Sequence, residues 1–336
     1  MIRGVAFSSL RRVSTLIHVL VLLGFAIAVN VVAPDAARAR PAAPVGVYNA
    51  PVSKGQWKLS YRYQRIHGRG LRNAADKEPG TTQIPFEMDT DIHTIRVAYA
   101  PLERLTLVLR LPLVSHQMRQ RDADNANMAY NTHSFGVGDL EIVGLVPFMK
   151  KGNEILDVHL GLRLPTARVN NKGKLNSTGS RGQLPVWMQS GSGTTSILAG
   201  IDYQGYWHGL GWGVNGAGAV GFGENHRGYR LGNTSAFSGW LSHDVTSWLS
   251  GSLRLAYNHS YRMRQRRFSG PANHVASYGR STGGVRLALV PGLSIDVPGL
   301  SGQRLSIEAS WLVYQSLRGA QIDRDWKLST GWEWIF

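Results

Sequence analysis

The last eleven residues of the chain, 326–336, alternate strictly between two kinds of side chain. One face would carry Trp326, Leu328, Thr330, Trp332, Trp334 and Phe336, and the other Lys327, Ser329, Gly331, Glu333 and Ile335. Because successive side chains of a β-strand point to opposite faces, this period of two predicts a strand with one aromatic and one mostly polar face. As the edge strand of a soluble β-sandwich it would expose three tryptophans as one apolar patch. A strand that spans a membrane is favoured instead.

The N-terminal segment has the three parts of a secretory signal peptide. An apolar run over residues 16–32 follows the basic residues Arg3, Arg11 and Arg12 and precedes the small-x-small site Ala37-Arg38-Ala39. We therefore expect cleavage of residues 1–39 and a mature start at Arg40. A signal anchor is the competing interpretation, because the run is close to the roughly 17-residue minimum for a spanning helix. Both interpretations predict export from the cytoplasm.

Beyond residue 40 no uninterrupted apolar stretch approaches the length of a transmembrane helix. Only helices and closed barrels satisfy every backbone hydrogen-bonding group in lipid, so a membrane protein of this kind must be a barrel. The composition agrees with strands that face lipid on one side: 39 glycines, 10 tryptophans and 12 tyrosines stand beside only 17% charged residues. The absence of cysteine excludes a disulfide scaffold and a cysteine-based zinc site.

Twelve segments alternate well enough to predict strands of a single all-β, antiparallel, up-and-down transmembrane barrel over residues 56–336, after a short lead at 40–55. They are 56–66, 91–100, 104–115, 136–148, 154–165, 194–205, 210–222, 232–242, 249–261, 279–290, 304–315 and 326–336. The connectors between them alternate in length, and the long ones are 67–90, 116–135, 166–193, 223–231, 262–278 and 316–325. Short periplasmic turns and longer extracellular loops are typical of bacterial outer-membrane barrels.

Aromatic residues are predicted to ring the barrel where the short turns lie. This girdle would contain Trp57, Tyr99, Phe148, Tyr203, Trp212, Trp334 and Phe336, with a sparser outer ring of Tyr63, Phe222, Tyr261 and Trp326. Phe336 also resembles the terminal signal of outer-membrane barrels, and that resemblance implies recognition by the barrel-assembly machinery.

Charged residues fall on the polar faces of the strands. The candidate lumen-lining residues are Arg62, Arg96, Arg110, Arg163, Arg254, Arg286, Lys327, Asp139 and Glu141. If the lumen conducts, basic side chains on several strands predict a preference for anions. The alternative is that the charges pair with one another and fill the interior, because twelve strands lie between filled eight-stranded and open sixteen-stranded barrels.

Basic residues also concentrate in two long loops. The candidate lipopolysaccharide contacts are Arg168, Lys172, Lys174, Arg181, Arg262, Arg264, Arg266 and Arg267. Arginine pairs bidentately with phosphate, so outer-membrane lipid and lipopolysaccharide are the expected partners. A plain solvated loop surface is the alternative. Nucleic acid is not expected as a partner, although the formal charge is +16, because no recognition helix or stacking platform accompanies the basic runs.

Catalytic and metal-binding patterns are weak, and we expect no enzyme activity, cofactor or metal. Twelve-stranded outer-membrane phospholipases carry His-x-Ser on one strand, and this spacing does not occur here. Asp157 and His159 alternate onto the same face, where a structural interior pair is the favoured interpretation. The glycine-rich run 216–223 has no helix after it and is therefore not a phosphate loop.

Two short motifs resemble a known family. They are Gly136-Val-Gly-Asp-Leu-Glu-Ile142 and Leu160-Gly-Leu-Arg-Leu-Pro-Thr166. They resemble the outer-membrane proteins of the meta-pathway phenol-degradation (MetA-like) transporter family, in which the second motif ends in glycine where this chain has Ala167. The resemblance implies an outer-membrane channel for small solutes, such as aromatic or other apolar nutrients.

The sequence therefore predicts an outer-membrane channel that passes a small-molecule solute, either apolar or anionic. A lipid-modifying outer-membrane enzyme and a structural or lipopolysaccharide-binding barrel without transport are the two alternatives.

Overall fold

The computed structural model describes residues 52–77, 85–122, 128–265 and 282–336. The predicted signal peptide, most of the predicted lead, and Arg266 and Arg267 lie outside these residues. No helix in the described part of the chain is both long enough and apolar enough to span a membrane.

Extended strands account for most of the described chain, and one short 3-10 helix, Val186–Met188, interrupts them. The strands are β1 (Trp57–Ala74), β2 (Asp76–Lys77), β3 (Pro85–Leu102), β4 (Leu105–Arg121), β5 (Ala129–Val137), β6 (Leu140–Lys151), β7 (Glu154–Leu164), β8 (Lys172–Lys174), β9 (Arg181–Gln183), β10 (Ser196–Trp207), β11 (Leu210–Gly221), β12 (Tyr229–Arg230), β13 (Thr234–Asp244), β14 (Leu249–Ser260), β15 (Arg264–Gln265), β16 (Gly284–Asp296) and β17 (Gln303–Ile335).

The long strands form one antiparallel sheet that closes on itself, because β17 pairs with both β16 and β1. Residues 304–317 of β17 follow β16, and residues 317–335 return along β1, so β17 reverses near Gly319 and crosses the barrel twice. β5 and β6 both pair with β4 and form successive parts of one crossing. With β1, β3, β4, β7, β10, β11, β13, β14 and β16, the chain crosses the barrel twelve times. The predicted fold class is confirmed.

The strands alternate between an apolar outer face and a mostly polar inner face, as predicted. In β7, for example, the side chain of Leu160 is 64% exposed, whereas that of the adjacent His159 is 2% exposed. Leu107 and Leu109 are exposed in the same way on β4, where they alternate with the buried Thr106 and Val108. An apolar exterior over a polar interior is the inverse of a soluble barrel, and it is the pattern that lipid requires.

Tight turns join the strands at one end of the barrel, which we call the short-turn end. Gly152 lies in one of these turns, and His208 and Gly209 occupy another, all three with positive φ. Exposed aromatic residues gather at this end. Trp57 stacks on Tyr99 with ring centroids 4.4 Å apart, and Trp334 stacks on Phe336 at 4.2 Å.

At the opposite, long-loop end, several strands continue further than predicted. β1 runs to Ala74, β4 runs to Arg121, and β17 has no loop of the predicted length at 316–325. The predicted long loops 67–90, 116–135 and 316–325 were therefore too long. Polar residues replace the apolar outer face in these extensions, so the lipid-type alternation stops although hydrogen bonding between the strands continues.

Candidate functional site

The interior contains a central cavity of about 400 Å³ whose wall is strongly basic. Its basic lining residues are Arg62, Arg110, Arg163, Arg254, Arg286, Arg324 and Lys327, and Glu141 is the one carboxylate among its lining residues. The rest of the wall includes small apolar residues, such as Ala219, Ala256 and Ala288, which are buried on the inner faces of β11, β14 and β16. The cavity is therefore basic on some strands and apolar on others.

Two buried carboxylates neutralise part of this basic wall. Glu141 lies between Arg110 and Arg163, with N–O distances of 3.2 and 2.8 Å. Arg254 donates a 2.6 Å hydrogen bond to Glu308. In contrast, Arg62, Arg324 and Lys327 form no ion pair with any residue that the structure describes. The lumen consequently keeps a net positive charge.

Near the short-turn end the interior charges are paired. Lys58 and Glu333 form a 2.7 Å ion pair across the seam between β1 and β17, and Arg304 binds Asp296 at 2.6 Å. These pairs lie below the central cavity and leave its basic character unchanged.

Asp157, His159 and Asp202 lie side by side on the inner face of β7 and β10. His159 Nδ1 lies 3.1 Å from a carboxylate oxygen of Asp202, a partner that the spacing of Asp157 and His159 did not indicate. Both carboxylate oxygens of Asp157 are buried without a hydrogen-bond partner among the described residues. Asp157 and Asp202 are directly opposite each other in the strand register, which places two carboxylates beside one imidazole.

A second cavity, of about 280 Å³, lies toward the long-loop end. Its apolar lining residues are Ile66, Met88, Trp187 and Ile322. Arg286 and Arg324 line this cavity as well as the central one, so the two spaces meet at this pair of guanidinium groups. We call it the apolar cavity.

Residues 165–195, which we call the inner loop, fold back into the long-loop end of the barrel. Leu184 and Met188 of this loop are fully buried against Met118 of β4, and Trp187 and Met88 pack around them. Ser134 of β5 donates a 2.6 Å hydrogen bond to the Met188 carbonyl. The inner loop therefore narrows the lumen and supplies Trp187 to the apolar cavity.

The two motifs singled out in the sequence hold the inner loop in place. Asp139 accepts hydrogen bonds from the backbone N–H and the hydroxyl of Ser192, both at 2.7 Å, and from the Ala167 N–H at 3.2 Å. Thr166 donates to the Gly138 carbonyl at 3.0 Å and accepts from the Leu140 N–H at 2.9 Å. Asp139 thus anchors a loop and is not among the residues that line the central cavity.

The glycines of the first motif make room for these contacts. A Cβ added at Gly136 would collide with the hydroxyl of Ser190, and one at Gly138 would lie 2.7 Å from Pro112 Cγ. Glycine is the residue that allows such a close approach between chain segments.

A second loop covers the inner loop. Asn225 donates to the Ser192 carbonyl at 3.0 Å, and Arg227 donates to the Val169 carbonyl at 3.1 Å. The Arg227 guanidinium lies over the ring of Tyr229, 5.6 Å from its centroid. Burial raises the pKa of the Tyr229 phenol, so this side chain stays neutral in the packed cluster.

Titratable residues also meet on the outer face, where β1 and β3 extend beyond the apolar band. Ligand atoms of His67, Glu87 and Asp89 lie within 4.8 Å of one another, a spacing that suits a metal ion. Asp89 is already engaged, by His67 Nδ1 at 2.8 Å and by Arg65 at 3.2 Å. The sequence did not predict this cluster, because its members come from two strands.

Most of the predicted lumen residues are brought together. Arg62, Arg110, Arg163, Arg254, Arg286, Lys327 and Glu141 line the central cavity. Arg96 is not among its lining residues; it pairs in register with Ser60 and Arg110. The basic loop residues Arg168, Lys172, Arg181, Arg262 and Arg264 are exposed, and Lys174 is half-buried.

Arg324 and Trp187 are cavity residues that the sequence did not predict. Strict alternation from the inward Lys327 would turn Arg324 outward. A register shift opposite His67 and Gly68 turns Arg324 inward as well. Trp187 lay in a predicted loop. The run of apolar residues from Leu184 to Met188 was the available signal that this loop is buried.

Comparison with known proteins supports the fold. No family model and no curated protein matches the chain. The COG4313 outer membrane channel from Pseudomonas putida F1 superposes with a TM-score of 0.62 at 13% identity, over 88% of this chain and 100% of that one. The transport unit of the autotransporter AIDA-I from Escherichia coli gives 0.48 at 9% identity, over 88% and 93%. A FadL homologue from Pseudomonas aeruginosa gives 0.41 at 9%, over 88% and 94%. The first likeness supports the barrel fold.

Proposed function

We propose that this protein is a bacterial outer-membrane channel for small solutes. The observation that carries the proposal is the central cavity, which lies inside a closed barrel with an apolar exterior and retains Arg62, Arg324 and Lys327 without ion-pair partners among the described residues. A buried charge without a partner is costly unless water or a counter-ion reaches it. A barrel with a purely structural role would gain stability by pairing these groups or replacing them, so their retention favours a hydrated lumen.

The solute class stays broad in this proposal. A small anion suits the basic wall, and an aromatic or other apolar nutrient suits the alanine-rich wall and the apolar cavity. The likeness of the two motifs to the MetA-like transporters favours an aromatic or other apolar solute. The Pseudomonas putida F1 protein of similar fold is an outer membrane channel, which supports the channel proposal but not a particular solute.

Outer-membrane location and conductance test the proposal together. We expect the protein in the outer-membrane fraction, with a gel mobility that changes on heating, and we expect discrete conductance steps when the purified barrel is added to planar bilayers. A folded barrel without conductance would favour the structural alternative. Release of fatty acid from phospholipid vesicles by the purified barrel would favour the lipid-modifying enzyme.

We also propose a contact with lipopolysaccharide for the basic residues of two long loops. The side chains involved are Arg168, Lys172, Lys174, Arg181, Arg262, Arg264, Arg266 and Arg267. Replacing Arg168, Lys172 and Arg181 by Gln should weaken binding of purified lipopolysaccharide to the immobilised barrel and reduce its salt dependence. Unchanged binding would leave these residues as an ordinary solvated surface.

A further inference from the structure

The apolar cavity has a composition that the transport proposal alone does not explain. Ile66, Met88 and Ile322 give it aliphatic walls, and Trp187 of the inner loop adds an indole ring. The lining also includes His67, Thr90, His116 and Gln321, and no carboxylate is among the lining residues. A volume of about 280 Å³ is slightly below the range of pockets for drug-sized ligands, which begins at about 300 Å³, so the natural occupant is a small molecule.

Two guanidinium groups border this cavity on the side of the lumen. Arg286 is oriented by Gln315, to which its Nε donates a 2.8 Å hydrogen bond. Arg324 forms no ion pair with a described residue and is half-buried. Trp187 Nε1 is buried and has no hydrogen-bond partner among the described residues.

From this geometry we infer that the apolar cavity binds a small organic anion with an apolar body, namely an aromatic or branched aliphatic monocarboxylate. The body of such a ligand would pack on Trp187, Met88 and the isoleucines, where burial of apolar surface is favourable. Its carboxylate would bind the Arg324 guanidinium, which matches a carboxylate bidentately.

Other ligand classes satisfy only part of the site. An inorganic anion gains nothing from the apolar walls. A neutral hydrocarbon leaves the guanidinium of Arg324 partly desolvated without a counter-charge. A cation is repelled by both arginines.

The inference rests on the proposed channel function for the route by which the ligand arrives, but binding is measurable without transport. The experiment uses the full barrel in lipid nanodiscs and titrates three probes by calorimetry: benzoate, the neutral benzyl alcohol, and acetate, which lacks a ring. We expect benzoate to bind at least about tenfold more tightly than either of the others, which corresponds to about 1.4 kcal/mol.

Variants separate the two halves of the site. Arg324→Gln should reduce the preference for benzoate over benzyl alcohol severalfold, and Trp187→Ala should reduce the preference for benzoate over acetate severalfold. Arg104→Gln, which changes an exposed residue in the short turn between β3 and β4, should alter neither. Arg286→Gln provides a second test of the anion contact if Arg324→Gln does not fold, as judged by its heat-modifiable mobility.

Two results would overturn the inference: equal affinity of the unchanged protein for benzoate and benzyl alcohol, or full benzoate affinity in folded variants that lack either arginine. Failure of the channel proposal gives a different result, in which benzoate binds with the expected preference but the barrel carries no current.

Discussion

Individual residues in this barrel decide where the inner loop lies. Asp139 accepts a hydrogen bond from the Ala167 N–H, and Thr166 donates one to the Gly138 carbonyl. Gly136 has no side chain, which leaves room for Ser190 beside β5. Hydrogen bonds to a charged group contribute roughly 1.5–3 kcal/mol each, so the Asp139 contacts alone are substantial for a loop of this length. The motif therefore has a structural purpose that its sequence did not reveal.

A steric swap tests this interpretation at Gly136. Gly136→Ala should displace the inner loop, because the new methyl group would collide with Ser190. The displacement should appear as faster proteolysis within residues 165–195 and larger, noisier conductance. Adding Ser190→Gly should restore both properties in part, since it removes the colliding hydroxyl and its Cβ but also the 2.9 Å hydrogen bond that Asn171 donates to that hydroxyl. Absence of rescue, or an unaffected single variant, would show that the loop does not depend on this contact.

Whole strands were the most predictable elements, and the reason is physical. The alternating leucines of β4 and β7 face lipid, so their pattern survives in the sequence without competition from packing. Prediction failed where a strand leaves the lipid. A register shift at His67 and Gly68 turns Arg324 inward, and such a bulge has no marker in a single sequence. Trp187 was missed because it lies in a loop. The burial of this loop depends on the closed barrel around it, which a local sequence pattern does not show.

The final strand carries a prediction about assembly. Phe336 exchanges two backbone hydrogen bonds with Trp57, of 3.0 and 2.8 Å, and its ring stacks on Trp334. Phe336→Lys should reduce the yield of assembled barrel in cells severalfold. Phe148→Lys is the matched control, since Phe148 is 75% exposed at the same end of the barrel.

The comparison isolates recognition by the assembly machinery. A lysine near the membrane interface costs only about 0–1 kcal/mol, so the lipid contribution is small at both positions. Refolding of the two variants into lipid without the machinery should therefore be similar, while assembly in cells differs. Equal assembly in cells would remove the special role of Phe336. Glu333, on the same final strand, is not a suitable control position because its substitution would break the ion pair with Lys58.

The molecule as a whole places an uncompensated positive charge inside an apolar cylinder. Arg110 and Arg163 share Glu141, and Arg254 has Glu308, so these residues contribute less to the field than their number suggests. Arg62, Arg324 and Lys327 have no ion-pair partner among the described residues. Of these three, Arg62 and Lys327 line only the central cavity, so anion preference should depend most on them.

Neutralising Arg62 and Lys327 together to Gln should shift the reversal potential in a salt gradient toward cation preference. A unit charge 4 Å from a passing ion contributes about 1 kcal/mol in water, or about a fivefold change in permeability ratio for each charge removed. Replacing the exposed Arg168 and Lys172 instead should have a smaller effect that high salt suppresses. An unchanged reversal potential in a conducting double variant would show that the passing ions do not approach these two residues.

The seam between β1 and β17 has a consequence for the time order of folding. It joins Lys58 to Ile335 and Leu59 to Trp334, so the residues that close the cylinder are separated by nearly the whole described sequence. Contacts between residues so far apart in the sequence form late and slowly, because a long stretch of chain must be ordered before the contacts can stabilise it. Until β1 pairs with the last part of β17, both are unpaired edges of the sheet. A loop can then enter the barrel interior between these two edges. The inner loop is anchored by Ser134, Asp139 and Leu140, which are close to it in sequence, so it can reach its position before the cylinder closes around it.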